Sequence, residues 1–346
     1  METLPAPPAP GAAPTSGANL DADLSALLFD EQADPAVVSE QLRARPLAML
    51  ECAVVVSETR RTPSRAATSA ARANLAALDG VAPAAIRDAL TRMLVCREVD
   101  LALQWLHQAG LLGKYLPELE VTVDFSQEAG RKHKDVWEHT KQVVRQAVPR
   151  PLVRWAALLH DIGKVPTRTF TGDGKVHFHG HSEVGARMFD PIARRFAFDR
   201  PERDKIRFLI LHHLRANQYE TGWTDSAIRR FEREMCEHLD DLLDLSRADI
   251  TSRRPGRRND LLAQISELSR RIEALRAEDA KQPPLPTGVG NEIMTRFALP
   301  PSRLIGDLKR KLDAAIESGE LEPRRECGYY CDWLDAQGAI PKPTAP

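Results

Sequence analysis

Chemistry in this sequence concentrates in its histidines and aspartates. His139 lies in DVWEHTKQVV, His160-Asp161 close the apolar run of LLHDIGK, and His181 follows in HFHGHSEVGA. His212-His213 end LILHHL, and Asp249 closes DLLDLSRAD. Imidazole and carboxylate together suit a divalent transition metal (Mn, Ni, Co, Fe or Zn), with Mg as the oxygen-preferring alternative. Binding requires these groups deprotonated and convergent. Any one such histidine is more often structural than a ligand. The order His, His-Asp, His, His-His, Asp within about 110 residues is hard to obtain by chance, and a metal site is the expectation. Neighbours on a helix point about 100° apart, so His160 and Asp161 reach one ion together only at a helix end. Gly163 supplies such an end.

The elements that must hold these side chains read as helices. Patterning predicts them over Asp135–Ala147, Leu152–Leu159, Glu183–Phe196, Arg203–His213, Ser226–Met235 and Leu239–Asp249. The apolar Leu152–Leu159 segment would anchor His160-Asp161 rigidly in a core. A stripe of Leu262, Ile265, Leu268, Ile272 and Leu275 predicts a longer helix over Leu261–Arg276, and Leu304–Ser318 a last amphipathic one. Thr167–His181 reads differently. Asp173-Gly174 is a turn signal flanked by Thr, Phe and Val, so a short hairpin or long loop is expected. Upstream, Leu20–Leu119 is helical in pattern, including the alanine-rich Ala66–Ala77 run. Residues 1–19 are Pro/Ala/Gly-rich and expected to be disordered. The fold class is therefore all-α: a helical bundle with a short hairpin or loop insertion, flanked by N- and C-terminal helical segments.

Composition narrows the class of protein further. The 346 residues carry 48 Lys+Arg against 49 Asp+Glu, a balance that excludes a wholesale basic nucleic-acid coat but not local patches. No stretch approaches the roughly 18 apolar residues of a membrane-spanning helix. The N-terminus lacks the basic and hydrophobic regions of a secretory signal. Five cysteines are too few, and odd in number, for a disulfide framework, so a cytoplasmic location is expected. Asp21-Ala22-Asp23 has the letters of a metal-binding Asp-x-Asp pair. Without a glycine-rich strand before it, and with Leu20 and Leu24 at helical spacing, it reads as acids at a helix start.

His139, His160-Asp161 and Asp249 resemble the four-ligand signature of the HD superfamily of metal-dependent phosphohydrolases, with HDIGK matching its core motif. The likeness is closest to the HD-containing C-terminal part of bacterial CCA-adding tRNA nucleotidyltransferases and poly(A) polymerase-like proteins. It runs from KDVWEHT through HDIGKVPTRTFTGDGKVHFHGHSEVGA to HHLRANQYETGWTDSAIRRF and SRADITSRR, and covers roughly residues 85–322. A glycine-rich nucleotidyltransferase head is not recognisable. The resemblance divides the chain into a tail (1–19), an N-terminal helical region (20–125), an HD phosphohydrolase domain (126–260) and a C-terminal helical region (261–346).

The resemblance implies that His139, His160, Asp161 and Asp249 hold one ion. His181 and either His212 or His213 bring a second or orient substrate, with His213 slightly favoured. Asp161 is then a bridging ligand or the group that orients the attacking water. Lys164 and Arg168 can neutralise phosphate oxygens, although a solvated lysine and a surface arginine are equally good readings. His177 and His179 alternate with His181, which in a strand would place all three on one face. They are exposed hairpin residues or a general acid. The run Arg253-Arg254-Pro255-Gly256-Arg257-Arg258 follows Asp249 closely, so it is either a solvated face or an attraction for RNA backbone or tRNA. The implied substrate is a nucleotide or an RNA 3′-end phosphate. The other implied reading is an RNA- or tRNA-binding module that keeps the HD fold as scaffold.

Overall fold

The computed structural model describes residues 20–125, 135–171, 176–252, 254–281 and 283–340. The chain is all-α, and contacts divide it into two compact units, up to Leu268 and from Ser269 onward. Helix starts follow from side-chain chemistry. Asp21 accepts from the Leu24 amide at 2.8 Å and caps the Ala22–Leu28 helix, so the Asp-x-Asp letters are indeed helix-start acids. Asp135 caps Val136–Gln146 through the Trp137 amide, and Thr224 caps Asp225–Met235. Asp199 and Glu202 form a reciprocal capping box at the start of Arg200–His212.

The first unit is built around the Pro151–Leu159 helix. Its Val153 through Leu159 are all buried, so it has no solvent face and must be surrounded on every side. One of those residues is Arg154. Its guanidinium donates to the carbonyls of Leu94 at 3.0 Å and Val148 at 3.2 Å, which satisfies a charge that burial would otherwise penalise. Trp155 Nε1 donates to Thr91 Oγ1 at 2.9 Å. These bonds pin the Pro83–Val95 helix of the N-terminal region to the central helix. The helices Val136–Gln146, His181–Arg195, Arg200–His212 and Leu239–Asp249 complete the packing.

The insertion is a minimal antiparallel hairpin in which Thr169 pairs with His177 and Phe170 with Val176. The turn expected at Asp173-Gly174 lies outside the described residues, as do residues 1–19 and Arg253. Several helices differ from expectation, among them Val289–Arg296 and the short Lys164–Thr167, which were not anticipated. The long one runs from Pro255 to Lys281, because its solvated ends carry no apolar periodicity to mark them. The Cys327–Ala336 helix is too short, and too rich in Gly, Tyr and Cys, to register as a pattern. In the second unit it packs Tyr330, Cys331 and Leu334 into a core with Val289, Ile293, Leu308 and Leu312. All five cysteines are free thiols. Among the described residues no helix is long and apolar enough to cross a membrane.

Candidate metal centre

Helix ends assemble the site. His160 follows the last residue of the central helix, His213 caps Arg200–His212, His181 opens His181–Arg195, and Asp249 closes Leu239–Asp249. His139 projects from one turn inside its helix. Two trios of ligand-type atoms result, each within 4.8 Å of one another: His139, His160 and Asp249 in one, Asp161, His181 and His213 in the other. Asp161 joins them. Its Oδ2 lies 3.2 Å from His160 Nε2 and 3.4 Å from His139 Nε2, while Oδ1 lies 3.5 Å from His181 Nε2 and 4.0 Å from His213 Nε2.

The outer nitrogens explain the inner ones. His160 Nδ1 donates to Ala157 O at 2.8 Å, His181 Nδ1 to Phe178 O at 2.8 Å and His213 Nδ1 to Ile210 O at 2.7 Å. His139 Nδ1 meets Thr251 Oγ1 at 2.9 Å. With Nδ1 donating outward, the rings of His160, His181 and His213 turn Nε2 into the cluster, the nitrogen a metal takes once any proton there is released. His139 and His160 bring their Nε2 atoms within 3.3 Å, as do His181 and His213. Buried Nε2 atoms facing one another beside two carboxylates form a donor set that a divalent cation fits once they are deprotonated.

The electrostatics favour positive charge at the centre of the cluster, either a proton on Nε2 or a bound cation that displaces it. Burial opposes ionisation of Asp161 and Asp249, yet the surrounding histidines, and Lys164 beside Asp161, hold both well below the usual carboxylate range. Burial also opposes protonation of His160, but Asp161 and Asp249 outweigh it and lift its pKa to about 10. His213 is pushed down to about 4 by burial and by His160. Burial lowers His181 as well.

The remaining candidates stand elsewhere. His212 turns away from the cluster, as the 100° step requires once His213 points inward; its ring packs on Phe208 at 4.3 Å. It is therefore not among the converging atoms, and the choice left open between the two histidines falls to His213. Lys164 Nζ sits 2.7 Å from Asp161 Oδ2. Arg168 does not reach the trios but lies over the rings of Phe125 and Phe170. His177 and His179 stack at 5.2 Å and 10°, sharing a face, while His181 leaves that alternation to enter its helix. Both line an open cleft of roughly 630 Å³ with His181, His212 and Arg215. Arg254 and Arg257 are exposed. Sequence reading missed Thr251, whose signal was its place two residues after Asp249. It also missed the approach of Gly163 to the His181–Arg195 helix, where an added Cβ would lie 2.0 Å from His181 O.

Residues 126–274 match the family model of the HD domain, and this region is an HD domain. Over 261 residues the chain is 33% identical to the A-adding tRNA nucleotidyltransferase of Deinococcus radiodurans, covering 72% of this chain and 58% of that protein. It is 30% identical over 251 residues to the CC-adding tRNA nucleotidyltransferase of Thermus thermophilus, covering 71% and 55%. A multifunctional CCA protein of Pseudomonas aeruginosa matches over 133 residues at 30% identity, 37% of this chain and 32% of that one. The chain thus spans little more than half the length of the first two relatives.

Proposed function

We propose that the chain is a metal-dependent phosphohydrolase, a phosphatase or phosphodiesterase, acting on a nucleotide or on the phosphate of an RNA 3′ end. The observation that carries this reading is the position of Asp161, with one carboxylate oxygen toward each trio of ligand atoms. In this reading His139, His160, Asp161 and Asp249 hold one divalent ion, and Asp161, His181 and His213 hold a second. The nitrogen-rich donor set favours Mn, Fe, Co, Ni or Zn over Mg. Such ions, when bound, supply polarisation of a phosphoryl oxygen and a lowered pKa for water.

The chain's own groups supply the rest. Asp161 orients the attacking water. Lys164, already at the rim of the cluster, neutralises a phosphate oxygen as negative charge develops. The cleft beside His181 gives a phosphoester room to enter, and in this reading His177 or His179, which line it, would protonate the leaving group. Arg254 and Arg257 follow Thr251, which holds the His139 ring, so they lie in sequence where an RNA backbone would approach. Relatives named as tRNA nucleotidyltransferases favour an RNA-end substrate. The proposed reaction is that of the HD site, where the donor residues converge.

The test is elemental analysis of the purified chain together with a panel of phosphate esters, nucleoside phosphates and cyclic nucleotides, each assayed with Mn, Ni, Co, Zn and Mg. The expected result is bound metal, and turnover that is abolished by His160→Ala and Asp161→Ala. Neither metal nor turnover would move the assignment to the scaffold reading, an RNA- or tRNA-binding module. Salt-dependent tRNA binding would then be its measure.

A further inference from the structure

A continuous line of aromatic and cationic side chains leads from the metal cluster to the surface. It begins at Asp161, whose Oδ2 accepts from Lys164 Nζ at 2.7 Å. The same ammonium stands 5.6 Å from the centre of the Phe178 ring. Phe178 faces Phe125, ring centres 6.4 Å apart. The guanidinium of Arg168 lies over Phe125 at 4.5 Å and over Phe170 at 4.8 Å. Phe170 ends the line with 60% of its surface in water. The strip borders the histidine-lined cleft at Phe178, and hairpin register turns its outer end away from His177. Thr169 pairs with His177 and Phe170 with Val176, so Phe170 and His177 point to opposite faces.

Among the described residues Phe170 is the most exposed of the large apolar side chains, and it sits on a strand two residues long. A recognition role accounts for its place. Rings that occupy the faces of a planar guanidinium leave its N–H edges for phosphate oxygens. An exposed ring beside such an edge is a platform for a nucleobase, and alternation of rings and cations is how single strands are held without sequence preference.

We propose that Phe170 and Arg168, continued inward by Phe125, Phe178 and Lys164, form a base-stacking subsite. It holds the nucleotides adjoining the phosphate that enters the metal centre, and so favours a single-stranded oligonucleotide end over a mononucleotide. The proposal rests on the phosphohydrolase reading for what the bound end is for, but binding tests it independently of turnover. Phe170 takes a base and Arg168 takes backbone phosphate, so their substitutions separate.

The experiment measures binding of fluorescein-labelled hexa-adenylate by anisotropy to the full, metal-loaded chain, in competition with AMP and with an unlabelled abasic ribose-phosphate hexamer. The wild type should bind the hexamer at least about tenfold more tightly than AMP, and more tightly than the abasic strand. Phe170→Ala should weaken hexa-adenylate about 5- to 150-fold, the span of one lost base stack, and leave the abasic competitor unchanged. Phe170→Trp should retain binding, and Arg168→Ala should weaken both strands. Elemental analysis of each variant checks that the metal content is intact. Hexa-adenylate bound no better than AMP or the abasic strand, or bound equally by wild type and Phe170→Ala, overturns the subsite. Oligonucleotide binding of the expected pattern in a chain that turns over no phosphoester would instead sink the hydrolase reading and keep the subsite.

Discussion

Gly163→Ala is the most informative single change in this molecule. Gly163 has φ −71° and ψ −12°, an ordinary right-handed conformation, so its backbone does not require glycine. Space does. A Cβ there would lie 2.0 Å from His181 O and 2.7 Å from Gly185 N, both backbone atoms that no rotamer change can move. Ordinary contact begins at 3.4 Å, so the turn and the His181–Arg195 helix must part by about 1.4 Å. His181 opens that helix, with its Nε2 3.5 Å from Asp161 Oδ1 and 3.3 Å from His213 Nε2. Ligand geometry tolerates only about 0.2 Å, so a displacement of that size removes His181 from the second trio. Overpacking of this kind costs about 1–3 kcal/mol, which for a unit of this size lowers Tm by roughly 2–12 °C. The assay pairs thermal unfolding with metal content per chain. The expected result is a lowered Tm and loss of one ion with the other retained. Gly180→Ala is the control. At φ +73° with only Glu183 Oε2 at 3.8 Å, it should lose stability of about 1–2 kcal/mol through backbone strain and keep both ions. A Gly163→Ala protein that melts within about 1 °C of wild type with unchanged metal would refute the reasoning.

Other outcomes follow from the same geometry. His213→Ala should release metal and abolish turnover, while His212→Ala, whose ring rests on Phe208, should keep its metal; equal loss in both would contradict the two orientations described. Chelation of bound metal should lower Tm, because a ligand held by the folded state alone stabilises it by mass action; an unchanged Tm after verified metal removal would speak against a built site. Thr251→Val should weaken metal affinity by about 10- to 100-fold by freeing the His139 ring, as measured by competition with a chromogenic chelator. Glu51 is buried, and burial raises its carboxyl above the ordinary value, partly offset by Arg92 at 3.8 Å. The folded state then binds more protons than the unfolded one above pH 4.5, so stability from this group falls as pH rises through that interval. Glu51→Gln should therefore melt higher than wild type at pH 7, with the difference shrinking toward pH 4. A difference independent of pH would show that the charge is not the cause.

Much of this was legible in the residues. The alternation of helices about the HD motif needed only periodicity; the starts were less legible, since the helix expected from Arg203 begins at Arg200 under an Asp199 capping box. The donor types and their helix-end setting were likewise visible, since Gly163 after His160-Asp161 marks a break that any chain must make. Short or solvated elements were not. The Cys327–Ala336 helix and the first turns of Pro255–Lys281 lack the apolar repeat by which a sequence announces a helix.

Three-dimensional packing decided what remained. His212 and His213 are chemically identical, and their 100° separation guarantees only that one faces inward; which one depends on how Arg200–His212 lies against its neighbours. Asp161 stands between two trios because four helix ends converge on the turn that carries it, and no local rule reports that convergence. Arg168 carried an expectation of phosphate contact from its charge alone. Its setting between Phe125 and Phe170 depends on a hairpin register and on a residue 43 positions upstream. Local propensities and donor chemistry act over a few residues and can be read along the chain. Convergence and orientation are properties of long-range contact, and only the folded chain supplies them.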